Sequence, residues 1–162
     1  MPSSAEIEAK FWKSLKSDMT LMLGLAGADE THAQPMTAQI EKAERGPIWF
    51  FTSNETDLAQ ALGERQEAVA QFASKGHDLF ASIDGVLRVD HDRATIDRLW
   101  SPFVAAWFKG GKTDPKVLLL QFDPREAQIW LNDHSVFAAF KLLMGADPKE
   151  AYDAKTAQMR LS

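Results

Sequence analysis

Side chains able to do chemistry are sparse in this sequence, and most of the usual constellations are missing. There is no cysteine, which removes thiol nucleophiles, disulfides and thiolate metal sites together. The four histidines, His32, His77, His91 and His134, include no pair at the i, i+4 spacing of a zinc-binding helix, so no metal site is expected. His91 and Asp92 fall between an expected strand and an expected helix, where capping is the simpler use. No Gly-x-Ser-x-Gly elbow marks a nucleophilic serine. The adjacent Gly110 and Gly111 do not fit the Gly-x-Gly-x-x-Gly fingerprint of a dinucleotide site. The 23 Asp and Glu are scattered without a marked pair, so no catalytic side chain is assigned.

What remains is binding chemistry. Residues 51–56 read FTSNET, which puts the hydroxyls of Thr52, Ser53 and Thr56 at a turn between an aromatic strand and a helix start. Free backbone N–H groups and a helix N-terminus favour anions there. A buried strand followed by a capped helix explains the same residues. Trp100, Trp107 and Trp130 are spread through the C-terminal half. Flat side chains of this kind cover an aromatic ligand or pack a dimer interface, and their spacing leaves both readings open.

The elements that must position these residues follow from pattern. Ser3 or Ser4 caps a helix over 1–17, with Ile7, Phe11, Trp12 and Leu15 on one face. Strands are expected at 19–27, 33–41, 48–52, 68–73, 79–89, 117–122 and 127–131, with an Asp-Pro turn between the last two. Pro35 puts the second strand at an edge or at an interrupted ladder, and Asp84-Gly85 suggests a bulge in the fifth. Thr56 caps a helix at Asp57–Leu62 that Gly63 ends, and further helical segments are expected at 93–100, 103–108 and 135–144. The last residues, 146–162, read as a polar tail. Short turns between early strands favour antiparallel pairing. The expected architecture is mainly β, a small closed β-barrel with peripheral helices.

The totals agree with one domain over 1–162. The chain is 45% hydrophobic and 25% charged with a net charge of −5, an ordinary globular composition. Basic residues do not cluster, so no nucleic acid is expected as a partner. The longest aliphatic run, 117–120, is far too short to span a bilayer, and the start of the chain does not read as a signal peptide. No membrane association and a cytoplasmic location are the expectations.

Four stretches carry a more specific likeness: QPMTAQ at 34–39, GPIWFFTS at 46–53, DRATIDRLWSPFVAAWFKGGKTDPKVLLLQFDP at 92–124 and AQIWLND at 127–133. Together and in this order, the chain resembles the pyridoxamine-5′-phosphate-oxidase-like split barrels, in particular the general-stress-protein branch that binds FMN. The resemblance implies a six-stranded antiparallel split barrel and a homodimer with FMN, or FAD as the alternative, at its interface. It would lay Gln34, Met36, Thr37 and Gln39 along the isoalloxazine. Phe51, Thr52 and Ser53 would hold the ring edge and ribityl-phosphate region, with Thr56 at the phosphate turn. Trp107 and Trp130 would approach from the partner subunit. Two departures stand out: Gln34-Pro35-Met36 where the family often has Arg-Pro-Met, and Thr56-Asp57-Leu58 where it often has Ser/Thr-x-Lys. Lys75 is the expected replacement cation. The implied function is a flavin-dependent redox protein with hydride transfer carried by the flavin and an unidentified small-molecule substrate. The alternatives are a non-catalytic flavin-binding stress-response protein and a split barrel for another phosphorylated ligand.

Overall fold

A computed structural model of the chain describes residues 2–27, 31–132, 143, 145 and 156–162. Helix α1, Ser4–Asp18, begins with a reciprocal cap. Ser3 Oγ accepts the Glu6 N–H at 3.2 Å, and Glu6 Oε2 accepts the Ser3 N–H at 2.6 Å. Ile7, Phe11, Trp12 and Leu15 are buried on one side, and the Phe11 ring lies 6.3 Å from Phe72. The helix ends at Met19, whose left-handed backbone (φ 59°) lets its N–H bond Leu15 C=O at 2.8 Å. Glu8 accepts two hydrogen bonds from Arg45, which ties the 41–47 turn to α1. That guanidinium holds the Glu8 carboxyl below the usual carboxylate range against the opposing effect of burial.

Strands β1 (Thr20–Leu25), β2 (Gln34–Thr37), β3 (Ile48–Ser53), β4 (Arg65–Ala73), β5 (Leu79–Val89) and β6 (Val117–Leu131) pair antiparallel in the order β2-β1-β4-β5-β6-β3. The two ends of that path meet through a single bridge, Gln39 with Trp49. This is the expected six-stranded antiparallel barrel. Alternation explains the aromatic run in β3. Ile48, Phe50 and Thr52 are buried, while Trp49, Phe51 and Ser53 are half-buried on the other face. Phe50, Phe122, Leu23, Ile83 and Leu87 are fully buried, each contributing roughly 1.5–3 kcal/mol by removal from water.

Two expectations are corrected. Residues 117–122 and 127–131 form one fifteen-residue strand, β6, and the Asp-Pro turn between them does not form. On one edge β6 pairs first with β3 and then, from Glu126 to Trp130, with a further strand β7, Thr156–Arg160. Pro124 sits between those two ladders, where among the described residues no partner on that edge needs its missing N–H. The strand β7 also corrects the polar tail. Ala157 and Leu161 are buried, and the Leu161 N–H bonds Arg125 C=O at 2.6 Å. The helix expected at 135–144 falls, apart from Leu143, outside the described residues.

The bulge expected at Asp84-Gly85 is present as a register shift. Asp84 faces Glu126 and Gly85 faces Pro124, so Arg125 is the extra residue on β6. At Gly85 a Cβ would lie 2.4 Å from Asp123 O and 2.7 Å from the Phe122 ring. Because a backbone oxygen cannot rotate away, Gly85→Ala is expected to lower stability by roughly 1–3 kcal/mol. In urea denaturation the midpoint should fall with the slope unchanged.

Candidate functional site

The barrel's closure leaves a gap. Gln39 N–H bonds Trp49 C=O at 2.8 Å, and Trp49 N–H bonds Gln39 C=O at 3.0 Å. Beyond this pair β2 and β3 are not bridged. Along a strand the N–H and C=O of successive residues turn to opposite edges. Gln39 and Trp49 face each other, so residues 35 and 37 on β2 and 51 and 53 on β3 also turn their backbone groups into the gap. Pro35 therefore sits where its missing N–H costs the β1–β2 ladder nothing. Thr37 and Phe51 present an N–H and a C=O each. The Ser53 C=O is already used, accepting the Thr56 N–H at 3.2 Å and the Thr56 hydroxyl at 3.1 Å.

A short helical segment roofs this gap. Helix α2, Asp57–Leu62, follows β3, and helix α3, Arg93–Leu99, follows β5. Asp92 caps α3 and accepts the Thr95 hydroxyl at 2.6 Å. That bond, with the Ala94 and Thr95 N–H groups, holds its carboxyl below the usual range. Trp100 ends α3, and Ser101 caps α4, Pro102–Ala105, by accepting the Val104 N–H at 3.3 Å. The Trp100 ring lies 5.5 Å from Phe51, perpendicular to it, and 6.0 Å from Phe108. This aromatic chain fixes α4 to β3. Phe103 and Trp107 project from the roof, each 85% exposed.

The result is a cavity of about 940 Å³. Eight of the residues singled out in the sequence line it: Gln34, Met36, Thr37 and Gln39 from β2 and its extension, Phe51, Thr52 and Ser53 from β3, and Trp107 beyond α4. Three do not. Thr56 caps α2, accepting the Ala59 N–H at 3.3 Å. Lys75 is exposed in the loop between β4 and β5, which Ser74 and Asp78 hold together. Trp130 opens onto the outer face of β5 and β6, opposite Phe80, and lines two separate depressions. Met19, Phe103 and Val104 also line the cavity, although sequence pattern does not single them out. The usable signal is the i, i+4 pair Phe103 and Trp107 directly after Ser-Pro.

No side chain lining the cleft is ionisable among the described residues. Among the described residues, no cluster of His, Asp or Glu could hold a metal ion, and no helix is long and apolar enough to cross a membrane. The cleft suits a flat ligand whose rim carries its own N–H and C=O groups, bound between two open strand edges under an aromatic roof. Trp100→Ala removes the bridge between roof and strand. Since Trp100 is half-buried, the expected cost is about 1–2 kcal/mol, below that of a fully buried Trp. Thermal unfolding followed by far-UV circular dichroism checks this.

The sequence model of the Pyridoxamine 5'-phosphate oxidase like family matches residues 6–153. The crystal structure of the general stress FMN/FAD binding protein of Xanthomonas citri is similar at 58% identity and a TM-score of 0.77, covering 82% of this chain and 94% of that one. A protein of Xanthomonas campestris pv. campestris assigned to the general stress family is similar at 57% identity and a TM-score of 0.77, covering 84% and 94%. A protein of Clostridium acetobutylicum related to general stress protein 26 shares the fold at 16% identity and a TM-score of 0.67, covering 94% and 95%. No curated protein sequence matches the chain.

Proposed function

The chain belongs to the Pyridoxamine 5'-phosphate oxidase like family, and from that premise we propose that it binds a flavin, FMN with FAD as the alternative, in the cleft between β2 and β3 and works as a flavin-dependent redox protein of the cytoplasm. The observation that carries this reading is the pair of open strand edges inside an uncharged cleft. The pyrimidine side of a flavin ring presents alternating C=O and N–H groups along one edge. Thr37 and Phe51 offer the complementary backbone groups, and Met36, Phe51 and Trp107 supply apolar and aromatic walls. The FMN/FAD-binding description of the similar Xanthomonas citri protein supports the same ligand.

Bound flavin supplies hydride acceptance and donation, chemistry that side chains cannot perform. The protein's share is to bind and orient the ring and to keep water from it under α4. An uncharged lining suits that division, since no lining side chain is needed as acid or base. A flavin-binding stress-response protein without turnover would use the same cleft, and reduction of the bound flavin by a nicotinamide cofactor would count against it.

The reading includes a homodimer. Met22 and Phe80 are 41% and 37% exposed on the outer sheet face, with half-buried Trp130 beside Phe80 in register. Trp130 lines this surface and not the cleft of its own chain, a position that suits an approach to the partner's cleft in such a dimer. In sedimentation at micromolar concentration the chain should run as a dimer, and Met22→Glu with Phe80→Glu should shift it to monomer. A monomeric unsubstituted chain would remove this part of the reading.

Titration with FMN, followed by quenching of flavin fluorescence, should give micromolar or tighter binding. Thr37→Pro deletes one N–H facing the gap and spares the β1–β2 bonds. It should weaken binding by about 1 kcal/mol, roughly fivefold. Absence of flavin binding by the unsubstituted protein would overturn the proposal.

A further inference from the structure

We propose that Arg98 is a positioning residue for the cleft: with Glu41 and Lys16 it clasps the closed end of the β2–β3 gap and so sets how far the two open strand edges stand apart. What this does to a bound ring rests on the flavin reading above; the clasp itself does not. Arg98 lies in the last turn of α3, where the free carbonyls of a helix end favour a cation. Its guanidinium reaches both sides of the closure. On the β3 side it lies over the Trp49 ring, 6.0 Å from the centroid, within cation–π range. On the β2 side its Nε donates to Glu41 Oε1 at 3.0 Å, just beyond Gln39.

Both grips are themselves held. Trp49 Nε1 donates to Asp90 Oδ2 at 3.3 Å, and Asp90 Oδ1 accepts the Asp92 N–H at 2.9 Å, which fixes that carboxylate after the end of β5. Lys16, in the last turn of α1, donates to the Ile40 and Glu41 carbonyls at 3.1 and 2.8 Å. Residues 40 and 41 are therefore held from α1 and from α3 at once, directly beyond the Gln39–Trp49 bridge.

The Arg98 and Glu41 side chains are 49% and 44% exposed, and an ion pair so open to water contributes little to the stability of a whole fold. Opening two backbone hydrogen bonds locally costs far less than unfolding the barrel. The same small contribution is then a large share of what keeps the closed end of the gap shut. Because α3 also carries Trp100, which meets Phe51, the guanidinium links the helix that leads into the roof to both strands of the cleft.

Amide hydrogen exchange of the intact protein without ligand reads the clasp. Arg98→Ala should speed exchange of the Gln39 and Trp49 amides roughly threefold to tenfold and leave amides of the β4–β5 ladder unchanged. High salt should act in the same direction on the unsubstituted chain. Adding Glu41→Gln to Arg98→Ala should change little, because the two side chains act as one pair. FMN titrations read the gap: each single variant should weaken binding by about twofold to fivefold. The sign for Glu41→Gln is decisive, since removing a negative charge would tighten FMN binding if long-range electrostatics alone acted. Unchanged exchange at Gln39 and Trp49, or equal acceleration at every amide, would overturn the clasp. Faster local exchange with unchanged FMN affinity, or tighter FMN binding in Glu41→Gln, would overturn the positioning role. If the unsubstituted protein binds no FMN, the flavin reading falls while the exchange result still decides the clasp.

Discussion

One reciprocal pair of backbone hydrogen bonds, Gln39 with Trp49, decides what this barrel can do. Two such bonds contribute only about 1–3 kcal/mol net, far less than the ladders on the other strand boundaries. They close the circuit of six strands at one point and leave the rest of the β2–β3 boundary unpaired. In most sheets an unpaired edge invites aggregation. Here the edge lies inside a cleft, with Pro35 in β2 and the α4 roof above.

The roof depends on sequence chemistry of a different kind. Asp92 starts α3, Trp100 ends it, and Ser101 with Pro102 starts α4 in a new direction. Trp100 touches Phe51 on one side and Phe108 on the other. The outward residues of β3 therefore serve two ends at once, wall and anchor, while its inward residues fill the core. That division follows from the two-residue period of a strand and needs no special side chain.

Much of this fold is legible in the amino-acid pattern alone. Helix α1 is readable from the spacing of Ile7, Phe11, Trp12 and Leu15, the cap of α2 from Thr56, and the bulge from Asp84-Gly85. Strand β6 is not, because Asp123-Pro124 has turn chemistry, and only the change of edge partner from β3 to β7 explains why a proline is tolerated there. Strand β7 is hidden because TAQMR is mostly polar and buries little beyond Ala157. Within the site, residues on one strand can be grouped by local pattern. Thr56, Lys75 and Trp130 cannot be placed that way, because their distance from the cleft depends on the barrel's curvature and on which face of β6 looks outward. The aromatic stretch at 48–53 thus announces a strand, while the gap beside it comes from a pairing that β2 and β3 do not make.

The central claim is that a flavin ring docks on the open edges of β2 and β3. Backbone amide resonances recorded during an FMN titration test it most directly. The account predicts that the Thr37 and Phe51 amides shift and become protected from solvent exchange as FMN saturates. FMN binding that leaves both amides unshifted and freely exchanging would contradict it.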